Sequence, residues 1–184
     1  VVEVTGSFGV EKKTDQDLYI SSETEANALV KANLLTIGLS NVSAFVGFGG
    51  MGLQLTDLDL AIALWSENKD TDARSWTSVM GNVGSASFVG VTGLTIAVTN
   101  AGIVVNKEWE ADHTVVDYVQ GAGETNATAL TVATSSNAAD NVSFAIDDLN
   151  GDYLKVTGTA TINVFDVVEV TGSFGVEKKT DQDL

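Results

Sequence analysis

The chain has 184 residues, with nine basic against twenty-five acidic side chains, a net charge of −16, 44% hydrophobic residues, and neither cysteine nor proline. The apolar content argues against disorder, and the charge excludes nucleic acid and anionic membranes as partners. The lack of cysteine excludes disulfides, thiolate zinc sites and cysteine nucleophiles, and no apolar run approaches the roughly eighteen residues of a membrane-spanning helix.

From the N-terminus, Val1–Lys12 reads VVEVTGSFGVEK, an alternation of apolar and polar residues that predicts a half-buried strand. Ser22-Glu23-Thr24-Glu25 matches a capping box ahead of Ala-Asn-Ala-Leu-Val-Lys and predicts one short helix. Four further segments repeat the alternation: Leu35–Val46, Leu53–Leu64, Leu94–Val105 and Leu154–Phe165. Each has a central pair of Ser or Thr followed by Gly, Asn or Asp: Thr5-Gly6, Ser40-Asn41, Thr56-Asp57, Thr99-Asn100 and Thr157-Gly158. Gly, Asn and Asp tolerate left-handed backbone angles, so these pairs predict a bend or bulge in each strand. Ser66–Ser75 and Lys107–Thr125 are polar and predict loops. Asn150-Gly151 lies between two alternating stretches and predicts a hairpin.

The chain closes on a repetition. Val167–Leu184 reproduces Val1–Leu18 letter for letter, at an offset of 166 residues. We read residues 1–166 as one complete tandem unit and residues 167–184 as the start of the next, in an excerpt from something longer that carries about −14 charges per unit. Near-identical units suit a spacer, a fibre or a multivalent surface better than an enzyme, which needs one asymmetric site. The expected fold is all-β, an elongated β-solenoid whose bends stack from coil to coil. The alternative is an antiparallel β-sandwich in tandem, which the Asn-Gly signal favours.

Motifs for catalysis are weak. Gly47-Phe48-Gly49-Gly50-Met51-Gly52 fits a dinucleotide fingerprint, but a strand-like segment follows where a helix must hold the pyrophosphate. His113 is the single histidine, and no nucleophile elbow accompanies it. We therefore expect no enzyme, no catalytic residue and no cofactor-binding residue. Asp147, Asp148, Asn150 and Asp152 are the candidate calcium ligands: the last three alternate as in a calcium loop, although Tyr153 and Thr159 stand where its turn glycine and closing glutamate belong. Asp15 and Asp17, near the junction of units, are a second acidic pair, and Asn41, Asn126 and Asn141 open glycosylation sequons. Trp65, Trp76 and Trp109 fall at strand ends or in loops, where they either cap a core or stack on a glycan.

The run Ser87–Leu94, the phrase VFDVVEVTGSFGVEKK at Val164–Lys179 and the acidic, cysteine-free composition resemble the long-repeat regions of giant bacterial secreted and surface proteins of the type I-secreted adhesin kind. The resemblance implies an extracellular, elongated, β-rich repeat, often calcium-dependent, on a bacterial cell surface or in its matrix. Its partners would be neighbouring repeats, identical chains, or a glycan or surface ligand. The glycine-aspartate nonapeptides of the calcium-binding β-roll are missing.

Overall fold

The computed structural model describes residues 1–21, 28–109, 114–120, 126–146 and 151–180. Seven strands form one sheet: β1 (Val2–Ile20), β2 (Ala28–Phe48), β3 (Met51–Glu67), β4 (Ser75–Val89), β5 (Leu94–Glu108), β8 (Tyr153–Val164) and β9 (Val168–Lys179), side by side in that order. Every neighbouring pair is antiparallel. Two short strands, β6 (Thr131–Val132) and β7 (Val142–Ser143), pair in a small second sheet, and a 3₁₀ turn at Ala138–Asp140 is the only helical element among the described residues.

The all-β expectation holds, and each alternating segment is a strand. The solenoid does not hold. A solenoid pairs successive coils in parallel, whereas here tight turns reverse the chain. Gly49 and Gly50 take φ of +63° and +81°, the left-handed pair that matches the twist of a two-residue hairpin. The antiparallel part of the sandwich alternative stands, but the second layer is only an excursion between β5 and β8. Two local expectations also bear on this. Leu29-Val30-Lys31, expected in a helix, belong to β2, while the capping box lies outside the described residues. Asn150 of the expected hairpin lies outside the described residues, and the strand that follows Gly151, β8, pairs with β5 and β9. Between β8 and β9 the chain reverses, with φ of +50° at Phe165 and +56° at Asp166. Asn163 closes this turn, its Oδ1 accepting from the Asp166 N–H at 3.1 Å.

The predicted bends form a line across the sheet. Asn41, Asp57 and Asn100 have φ of +51°, +54° and +50°. The ladder slips one residue beside each of them or on the partner strand, as bulges require. Asp59 satisfies one bulge, accepting the Asn41 N–H at 2.9 Å. Gly158 lies in the same line without a positive φ, so β8 runs straight there.

Below this crease, one face of the sheet is covered. Ala32, Leu34, Ala61, Ala63, Trp65 and Trp76 are buried beneath Val116, Tyr118, Leu130, Val132, Phe144 and Ile146 of the excursion. Removing that apolar surface from water is the main driving force for docking the layer, at about 25 cal/mol per Å². Gly38 permits the contact, because a Cβ there would strike the Ala133 carbonyl. The Trp65 indole N–H donates to the Tyr118 hydroxyl at 3.1 Å, which donates to Ser78 at 2.8 Å. Ser78 then donates to Asn106 at 3.0 Å, and Asn106 to the Val116 carbonyl at 2.7 Å. Every polar group in this buried chain therefore has a partner.

Candidate functional site

The two edges of the sheet carry the same sequence. β1 forms one edge, and β9, which repeats it, forms the other. With seven antiparallel strands between and including them, both run in the same direction.

They bind their neighbours through opposite backbone sides. Val1 and Gly47 exchange both bonds, at 2.7 and 3.1 Å. By the alternation of an antiparallel ladder, Val1, Glu3 and Thr5 face β2, while Val2 and Val4 turn their N–H and C=O groups to the open edge. At the far side Thr180 donates to the Asp152 carbonyl at 3.1 Å, and the register runs without a shift to Val164 opposite Val168. Even-numbered residues, Val168 and Val170 among them, therefore face β8. These are the copies of Val2 and Val4. The edge that β1 leaves open is the one through which its twin grips β8, and the edge that β9 leaves open is the one through which β1 grips β2.

Charged pairs secure the ends of the strands. Arg74 binds Glu67 with two bonds of 3.0 Å across the loop between β3 and β4, and its guanidinium lies over Trp76 at 5.2 Å. The hydrogen bonds from Arg74 hold the Glu67 carboxyl below its usual range. Lys31 meets Asp17 at 2.6 Å between β1 and β2, and this bond raises the lysine. Burial pushes the Tyr118 hydroxyl up, so it stays a donor to Ser78.

Of the candidate calcium ligands, Asp147, Asp148 and Asn150 lie outside the described residues, as does His113. Asp152 is placed: its N–H donates to the Thr180 hydroxyl at 2.8 Å, and its carboxylate accepts the Glu108 N–H at 3.2 Å. Asp17 is engaged with Lys31, and Asp15 occupies a bulge with φ of +56°. Trp65 and Trp76 are core residues, which removes them from any glycan platform. Trp109 is 62% exposed, under the Lys107 ammonium at 4.6 Å. The glycine-rich motif is the hairpin between β2 and β3. No described helix is long and apolar enough to cross a membrane.

No protein-family model, no curated protein and no solved structure matches the chain.

Proposed function

We propose that this is a structural repeat protein in which residues 1–166 are one unit and residues 167–184 are both the last strand of that unit's sheet and the first strand of the next. One observation carries the reading: the repeated stretch Val2–Lys13, copied as Val168–Lys179, pairs through one backbone side at one end of the sheet and through the other side at the opposite end. A strand shared in this way has both sides occupied. Each unit then adds six strands to one uninterrupted antiparallel sheet and lengthens it by about 29 Å at ~4.8 Å per strand. Sharing also removes the exposed edges that would otherwise recruit foreign chains. The hairpin at Phe165–Val167 leaves no flexible spacer between units.

Such an array is a rod, fibre or scaffold without catalysis. The acidic, cysteine-free composition and the resemblance to bacterial surface repeats support an extracellular place on a cell surface or in its matrix. Calcium at Asp147, Asp148, Asn150 and Asp152 would offset repulsion between carboxylates. A glycan-binding adhesin module is the weaker reading, since only Trp109 of the three tryptophans remains on the surface.

The test is a chain with residues 1–166 repeated three times before the closing strand. Small-angle scattering and electron micrographs should give a smooth particle lengthening by about 29 Å per unit. Its melting midpoint should exceed that of the 184-residue chain through nearest-neighbour coupling. Beads on a string with unchanged midpoints would overturn the proposal.

A further inference from the structure

The sheet is apolar on both faces but covered on only one. In β2 the buried residues Ala32, Leu34 and Thr36 alternate with Leu35, Ile37 and Leu39, which are half-buried and point to the other side. A sheet with one wet face alternates apolar with polar residues, whereas strands apolar on both sides belong to sheets covered on both sides. The register carries this pattern across the full width. Leu53, Phe88, Ile96 and Ile162 are successive partners from β3 to β8 and are 51, 38, 44 and 44% exposed. Further along the strands Ile37, Ile62, Val79, Val105 and Leu154 form a second such row. Beyond the crease the reverse face is made for water instead: Thr159 bonds Ser173 and Thr171 bonds Thr161, each at 3.2 Å.

The open apolar field is about ten residues long and seven strands wide, roughly 1,100 Å² from the spacings of a sheet. That exceeds the few hundred Å² usual for the largest apolar patch on a monomer. It also exceeds the roughly 800 Å² per partner of a stable interface.

We propose that this face packs against the same face of a second copy of the chain, closing a two-layer sandwich with the excursions on the outside. A uniformly apolar patch is complementary to itself, as a two-fold contact requires, and two twisted sheets pack face to face about 10 Å apart. A bilayer is the other apolar phase available, but a sheet in lipid must be closed on itself, and β1 and β9 leave two open edges. Each copy carries −16, so the association should strengthen with salt.

This inference does not depend on the shared edge strand, and one experiment separates the two. Sedimentation of the 184-residue chain should give twice the 19.2 kDa chain mass, with more dimer in 0.5 M than in 0.05 M NaCl. Leu53→Lys with Ile96→Lys should give the single-chain mass and keep the β-sheet circular dichroism, since both side chains are exposed. Val4→Pro with Glu169→Pro removes one outward N–H from each open edge and no ladder bond, and should still dimerise. A single-chain mass for the unmodified protein at 100 µM would overturn the proposal. So would association lost in the proline variant and kept in the lysine variant. Binding to phosphatidylcholine vesicles that the lysine variant loses would assign the face to lipid instead.

Discussion

The crease across the sheet makes a quantitative demand on Asn100. Its φ of +50° sits where an L-residue loses about 1–2 kcal/mol to the contact of Cβ with the backbone. Asparagine tolerates the region best among non-glycine residues, and a β-branched side chain tolerates it poorly. Asn100→Val should therefore destabilise the fold by about 1–2 kcal/mol beyond any effect of the side chain itself. At about 2–4 °C per kcal/mol for a domain of this size, the melting midpoint should fall by about 2–8 °C. Asn100→Gly is the control, because glycine adopts the same angles without strain and should stay within about 0.5 kcal/mol of the parent. Asn41→Val should behave alike and add to Asn100→Val, since β2 and β5 are not neighbours. Gly158→Ala probes a different cost in the same line, because a Cβ there meets Phe174 at 3.0 Å and Val98 at 3.1 Å without a strained φ. Urea melts of the set decide the matter. A midpoint for Asn100→Val equal to that of the parent would refute the left-handed bulge, and a loss in Asn100→Gly equal to that in Asn100→Val would place the effect in the lost amide.

Two further outcomes follow from the charges. Arg74 lowers Glu67 in the folded state, so this pair stabilises above the unfolded carboxyl value near pH 4.3 and loses its contribution as pH falls through the folded value. Glu67→Gln should cost about 1 kcal/mol at pH 7, and its melting midpoint should converge with the parent's once the pH has fallen below the lowered folded value. A constant difference across that window would mean that packing, not charge, sets the effect. Millimolar calcium should raise the midpoint more than sodium of equal ionic strength, and Asp148→Asn with Asp152→Asn should abolish the excess. Equal effects of the two salts would reduce calcium to plain screening.

Strand positions were legible in the sequence wherever a period of two survived. Val1–Lys12, Leu35–Val46, Leu53–Leu64, Leu94–Val105 and Leu154–Phe165 each lie within or across a strand of the sheet. β4 was not legible, because Gly81, Asn82, Gly84 and Ser85 dilute its alternation. Gly81 is there for its neighbours: a Cβ would meet the Asp59 carbonyl at 2.5 Å. The bends were legible too, since left-handed angles demand particular residues. What they could not reveal was strand direction. A mark at the middle of every strand lines up equally in a parallel stack of coils and in an antiparallel meander. Only the turns distinguish the two, and paired glycines such as Gly49-Gly50 fit many tight turns and do not by themselves mark a two-residue hairpin. For Trp65 and Trp76 the core alternative holds, but what covers them was not legible, because the excursion that buries them arrives from more than thirty residues further along the chain.

The edge and the open face have one geometric consequence in common. β1 and β9 run in the same direction, and Val2, Val4, Val168 and Val170 all belong to the open face. In the array proposed above, each unit is therefore related to the next by a translation along the sheet and the accumulated strand twist, with no reversal. Every excursion then falls on one side of the ribbon and every apolar field on the other. The charges per unit, about −14, recur at intervals of about 29 Å, several times the ~8 Å Debye length at physiological salt, so repulsion acts mainly within a unit and between closely packed ribbons. Two such ribbons can wind around a shared apolar seam because both twist with the same hand. In that arrangement the excursions would stay outside, where they would keep the opposite faces from stacking into larger aggregates. In the proposed assembly, pairing by edges would set the length of the particle and pairing by faces its thickness, and the two would stop at different points. The edge always leaves another edge open, whereas the face is used up after one partner.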